Sequence, residues 1–172
     1  MPQTLLRCIG GEVALPDANL VLVDREDGGN LIINPPRDVW DRTELTPQEL
    51  TNWQFLVAAT AKAMLRELPQ LKDGCINYWD AGNWSLNEGA APAGPKRGPL
   101  HRHVHLHLLG RSRNAKSPSH RWGEGVQWPD YSERQKWTAG FKRLNDDECK
   151  RIVKTTIESL IRDYGFRKED IR

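Results

Sequence analysis

Residues 101–109 read HRHVHLHLL, and this alternation constrains the chain more than any other feature. Four of the five histidines fall at every second position: His101, His103, His105 and His107. Val104, Leu106 and Leu108 alternate with the later ones. A period of two belongs to the β-strand, whose successive side chains leave opposite faces. The spacing therefore predicts an interior strand over 101–109, with imidazoles on one face and an apolar, helix-covered face behind them.

The other elements follow from turn and capping signals. The runs 20-LVLVD-24 and 31-LII-33 read as strands separated by the hairpin-type break DREDGGN, and Pro35-Pro36 ends the second. Thr46 is placed to cap a helix, with Pro47 at its first position and Glu49 completing a capping box. Leu50, Trp53, Leu56, Val57, Met64 and Leu68 recur at helical spacing until Pro69 stops the run. Residues 75–79, CINYW, form a further expected strand. Between it and the histidines, residues 82–99 are rich in glycine and proline, long enough for a mobile lid, and carry Lys96 and Arg97 to attract phosphate. Residues 111–144 show no regular pattern but hold Trp122, Trp128 and Trp137. A last helix, capped by Asn145 and Glu148, turns Ile152, Val153, Ile157, Leu160 and Ile161 inward. This order, without regular βαβ alternation, favours an antiparallel α+β sandwich in one domain spanning 1–172.

Composition narrows the function classes. Twenty-five basic against 23 acidic residues leave a net charge of +2, too small for a protein that wraps a nucleic-acid polymer. Local clusters such as Lys96-Arg97 and Arg111-Ser112-Arg113 still suit a small anion. Cys8, Cys75 and Cys149 are isolated, so neither a disulfide framework nor a cysteine zinc site is signalled. No stretch reads as a leader or a membrane span, and the expectation is a cytoplasmic protein without membrane contact.

Three readings of the histidine run compete. On a strand, neighbours at i and i+2 stand roughly 6.6 Å apart and i to i+4 roughly 13 Å. Two could share a metal, but three cannot easily converge on one ion at bonds of about 2.0–2.1 Å, and the further ligand would be His120. A solvated edge of imidazoles is the blandest reading, rarely apt for four in register. The third uses neutral imidazole as a nucleophile toward a phosphoryl or nucleotidyl group, with flanking histidines steadying the phosphate and no metal or cofactor.

His103-Val-His105-Leu-His107-Leu-Leu resembles the histidine triad (HIT) pattern, and the following Gly110-Arg111 is similar to its Hint branch. The likeness extends upstream through LVLVD, GNLIINPP, the helix and DGCINYWDAG, covering about residues 18–111 and leaving 112–172 as a C-terminal extension with its helix. It implies a HIT-like fold, with a five-stranded antiparallel sheet and two main helices, in a homodimer. It also implies hydrolysis or transfer at a nucleotide's α-phosphate, on substrates of the nucleoside phosphoramidate or dinucleoside polyphosphate type. By the same resemblance His105 is the nucleophile that forms a nucleotidyl-histidine, His103 and His107 bind the phosphate, and Asp24 binds the ribose hydroxyls. An ordinary turn aspartate is an equal reading of Asp24.

The departures from the pattern are specific. Asn30 stands where many relatives have a fourth histidine, and Leu100 replaces a hydroxyl that helps to protonate the leaving group. The family asparagine near the phosphate aligns with Asp80 if no gap is allowed. A carboxylate there would repel phosphate, which favours Asn87 or Asn83. His101 is a candidate replacement proton donor, Trp79 and Trp84 are candidates to stack on a base, and the N-terminal zinc site of some relatives is absent because Cys8 has no partner. Leu100 and Asn30 together keep open an alternative, a nucleotide-binding module with weak catalysis.

Overall fold

The histidine strand lies fourth in a five-stranded antiparallel sheet, covered on its aliphatic face by two helices. The computed structural model describes residues 2–172. In chain order the strands are β1 (Gln3–Cys8), β2 (Gly11–Leu15), β3 (Asn30–Asn34), β4 (Cys75–Ala81) and β5 (His105–Arg111). The helices are α1 (Pro47–Glu67), α2 (Gly98–His101), α3 (Arg134–Thr138) and α4 (Asp146–Tyr164). The sheet order is β1-β2-β3-β5-β4, so β5 is interior and pairs with β3 and β4. Among the described residues, no helix is long and apolar enough to cross a membrane.

Both long helices start as their sequences predict. The Thr46 hydroxyl accepts the Glu49 amide, the Glu49 carboxylate accepts the Thr46 amide, and Asn145 and Glu148 repeat the exchange at α4. Each box satisfies two amides that a helix start leaves without an internal partner. Gly165, at φ 71°, ends α4 in the left-handed conformation. Trp53, Leu56, Val57 and Met64 of α1 and Ile152 and Leu160 of α4 share one core with Leu31, Ile33, Val104, Leu106 and Leu108. Each fully buried aliphatic side chain contributes about 1.5–3 kcal/mol. The two helices are tied further by Phe55 stacked on Tyr164 at 4.9 Å and by Lys62 paired with Asp163 at 2.8 Å.

Four sequence expectations are corrected. Residues 20–24 form no strand: the Leu22 and Val23 amides donate to the side-chain oxygen of Asn30 instead of to a ladder. Two strands are instead supplied by an N-terminal hairpin, β1 and β2, to which the sequence reading assigned no structure. The histidine strand begins at His105, not at 101, because residues 98–101 turn as the short helix α2 and the Val104 amide bonds to the Val39 carbonyl. Residues 111–144 do contain α3, although most of that segment is irregular as expected.

That irregular segment lies on the sheet face opposite the helices. Trp79 of β4 stacks on Trp128 at 4.1 Å, Trp128 meets Trp137 at 5.7 Å, and Trp137 meets Phe141 at 5.5 Å. The turn at 24–29 holds both ends of the segment. Asp27, which is buried, accepts the amides of Lys116 and Ser117, and Asp24 accepts the amide of Lys142. Gly28 and Gly110 let this turn close on β5, for a Cβ on either would lie within 3 Å of the other's backbone.

Candidate functional site

Alternation along β5 sends His105, His107 and Leu109 to the face opposite the helices. His107 is 6% exposed. It is opposite Trp79 in the ladder, and the two rings stack at 5.5 Å and 28°. His105, opposite Ala81, is nearer the sheet's end and less enclosed.

The hydrogen-bond partners determine where the ring protons sit. The Nδ1 of His105 lies 3.0 Å from the His103 carbonyl, which only accepts, so this nitrogen carries the proton and Nε2 keeps a lone pair. From the other end, the side-chain oxygen of Asn30 accepts the amides of Leu22 at 3.0 Å and Val23 at 3.3 Å. Its Nδ2 must therefore face the Nδ1 of His107, 3.5 Å away, and donate to it. The proton of neutral His107 is then on Nε2, 3.2 Å from the Nε2 of His105. Both derivations agree: Asn30 donates to His107, His107 to His105, and His105 to the His103 carbonyl.

Burial holds the pair neutral. It pushes His105 below the ordinary imidazole value, against the opposing pull of the His103 carbonyl. His107 is pushed well below that value by its burial, and the neighbouring His105 adds to the effect. A neutral imidazole with an unprotonated Nε2 is the nucleophilic form of histidine.

The histidines line two cavities. One, of about 480 Å³, has His103, His105 and His107 along one wall, with Leu22, Ile32, Trp79, Trp84, Tyr131 and Arg134 among its other lining residues. No carboxylate lines it. Tyr131 and Arg134 come from the C-terminal segment, and the Arg134 guanidinium lies 3.6 Å over the Tyr131 ring. The second cavity, of about 720 Å³, shares His103, His105 and Asn34 with the first and adds Asp38 and residues of the N-terminal hairpin. Aromatic and aliphatic walls suit a flat apolar group such as a nucleobase, and the histidine wall suits an anion.

The remaining candidates divide. His103, which precedes β5, is exposed, and its Nδ1 lies 2.7 Å from Asp38 Oδ1. Asn30 is buried, bonded to His107 and able to act only through it. Asp24, expected at the ribose, instead caps a turn: its two carboxylate oxygens accept the Glu26 and Lys142 amides, and it lies outside the cavity. Asn83 and Asn87 are exposed and outside the lining, and the Asn87 side chain accepts the Gly89 amide of its own turn. His101 does not share the histidine face, because it ends α2 rather than lying in β5, and its Nδ1 accepts the amide of Arg97, the residue before that helix, at 3.0 Å. The 82–99 loop does border the histidines, through Gly82, Trp84, Ser85, Ala90 and Ala91, but Lys96 and Arg97 stand away from the lining. Arg111, expected in an anion cluster, is buried and donates to the Asn77 side chain and to the Arg121 and Glu124 carbonyls.

Two features escaped the sequence reading. Arg102, nearly buried, donates to the Trp40 carbonyl and pairs with Asp41 at 2.7 Å and Asp80 at 3.0 Å. Arg42 holds Asp80 from the other side. These pairs keep Asp80 on the side of β4 away from the histidines and fasten the approach to β5. Asp38 is the other, and two residues after Pro36 it carried no local signal. Among the described residues, no group of three histidine, cysteine or acidic side chains is arranged to hold a metal ion.

No family model and no curated protein matches this chain. A solved structure that it resembles is a histidine triad protein from Sinorhizobium meliloti 1021, at 20% identity over 87% of this chain and 89% of that one. The TM-score is 0.45, and a likeness that distant carries no functional conclusion.

Proposed function

We propose that this chain is a nucleotide hydrolase or nucleotidyl transferase of the histidine triad type, acting at an α-phosphate through a nucleotidyl-His105 intermediate. The observation that carries this reading is the proton order of the histidine pair. His105 Nε2 has a lone pair, its Nδ1 proton is held by the His103 carbonyl, and both rings are buried enough to stay neutral.

In the unliganded pair that lone pair accepts from His107. A phosphate entering the 480 Å³ cavity takes over the His107 Nε2–H through a non-bridging oxygen, which frees His105. His105 Nε2 then forms a bond to phosphorus, and the leaving group departs with the electrons of the bond that breaks. In the second half, water attacks phosphorus, the phosphorus–Nε2 bond breaks, and nucleoside monophosphate is released. His107 faces the charge developing on the phosphate from a buried, preorganised position. Trp79, Trp84, Leu22 and Ile32 supply a pocket for the base. The substrate class is a nucleoside phosphoramidate or a dinucleoside polyphosphate.

The experiment is single-turnover kinetics on adenosine phosphoramidates, adenosine phosphosulfate and dinucleoside polyphosphates, with mass spectrometry of the quenched protein. A nucleotidyl adduct on wild type is expected. His105→Gly should lose more than about 10³-fold in turnover, beyond the roughly 10²–10³ of one charge-stabilising donor. A His105→Gly protein turning over at a near-native rate would sink the mechanism. A wild type that binds nucleotide but forms no adduct would indicate a binding module instead.

A further inference from the structure

The mechanism above leaves the leaving-group proton without a source. Leu100 has no proton to give and is 65% exposed. His101 is folded back on Arg97. His107 directs its Nε2–H to His105 or to the phosphate, so that proton is already committed. We infer that His103, held by Asp38, is the acid that protonates the leaving group. The inference rests on His105 as the nucleophile.

Two observations place the dyad. Asp38 Oδ1 lies 2.7 Å from His103 Nδ1, so the carboxylate accepts a hydrogen bond from the Nδ1–H and leaves Nε2, which has no protein partner among the described residues, to deliver a proton. His103 also sits on the wall shared by the two cavities, whereas Asp38 lines only the larger one. A substrate with its base in the smaller cavity and its phosphorus at His105 extends its leaving group into the larger cavity, past His103. The arginines Arg7 and Arg37 of that cavity are already paired with Glu12 and Glu49. Of the three residues that line both cavities, Asn34 is an amide and His105 is the nucleophile, which leaves His103 to exchange a proton at the junction.

His103 begins with protons on both nitrogens, a cation paired with the Asp38 carboxylate. As the bond from His105 Nε2 to phosphorus forms, the bond from phosphorus to the leaving nitrogen or oxygen breaks. That atom keeps the electron pair and takes the Nε2 proton of His103. In the second half the neutral His103 takes a proton from the attacking water, and the phosphorus–His105 bond breaks. His103 is a catalytic residue here and Asp38 a positioning residue. Amines and alcohols, which need a proton to depart, depend on the dyad most; a nitrophenolate depends on it least.

The test compares adduct formation by wild type, Asp38→Asn and Asp38→Glu on two substrates with one nucleoside. One is the 4-nitrophenyl phosphate ester, the other an alkylamine phosphoramidate. Asn keeps an acceptor for Nδ1 but loses the negative charge beside the ring. The loss in Asp38→Asn should be greater on the amidate than on the ester by about 10²-fold, within the range of one general acid, and Asp38→Glu should recover part of that difference. Equal losses on the two substrates would mean a structural role and overturn the inference, and no loss on either would do the same. A wild type forming no adduct with either substrate would bring down the His105 reading itself. That outcome is distinct from an adduct that forms normally but with no leaving-group dependence.

Discussion

Asn30 donates its side-chain amide to His107 while its oxygen ties down the Leu22 and Val23 amides, so one buried residue sets both a loop and a tautomer. Replacing it by aspartate keeps the acceptor for the loop but turns an acceptor toward His107 Nδ1. His107 would then move its proton to Nδ1 and lose the Nε2–H aimed at His105. Asn30→Asp should cost about 10²-fold in turnover, as expected for a lost charge-stabilising donor. Ring ¹⁵N shifts of His107 should report the exchanged tautomer, and unchanged shifts would refute the assignment.

Stability should fall with acid because of the buried histidines. Burial lowers His120 to about 4, with Arg111 nearby adding to the effect, and His105 and His107 move in the same direction. Below an unfolded value near 6.5 the unfolded chain binds protons that the native rings refuse. Their contribution to stability is therefore complete above about pH 7 and is lost as the pH falls from there toward 4, by about 3 kcal/mol for His120 alone. Denaturant midpoints at pH 7 and pH 5 check this, and His120→Gln should flatten part of the slope.

Arg102 ties the chain ahead of β5 to Asp41 and Asp80. Arg102→Ala strands Asp41 and half-releases Asp80, and should destabilise the fold by about 2 kcal/mol, a figure discounted for the partial exposure of both carboxylates. Urea unfolding measures the cost. An Arg102→Lys protein, able to hold one carboxylate at a time, should fall between alanine and wild type.

His101→Ala should change turnover by less than about twofold, because a ring bonded to Arg97 outside the cavity makes no reacting contact. Its effect should also be independent of the leaving group, in contrast to Asp38→Asn. A large, leaving-group-dependent loss in His101→Ala would transfer the acid role to that residue.

What could be read in advance was whatever depends on neighbours along the chain. The two capping boxes, the aliphatic face of β5 and the shared face of His105 and His107 all follow from spacing. The N-terminal hairpin was hidden because β1 is irregular between Thr4 and Leu6, which breaks the period that marks a strand. The run 20–24 looked like a strand because it is rich in β-branched and aliphatic residues; Leu22 and Val23 are indeed buried, but the Asn30 side chain that replaces their ladder lies outside the run. Histidine alternation continued back to 101 although the strand did not, since α2 with Pro99 in its first turn intervenes. Asp38 meets His103 across 65 residues, and Arg102 meets Asp41 across 61; no local pattern reports such pairs.

The walls of the smaller cavity are drawn from parts of the chain under unequal constraint. His107 sits in β5 between β3 and β4 and His105 is paired with β4, so the sheet's ladders hold both backbones. Tyr131 and Arg134 stand in or beside a five-residue helix within an irregular stretch, clasped at its ends by Asp27 and Asp24. Substitutions or changes of length between those clasps can reshape what the cavity accepts while the sheet and its reactive imidazoles keep their geometry. The imidazoles and this part of the cavity wall thus lie on separate stretches of the polypeptide, so one can change in sequence without the other.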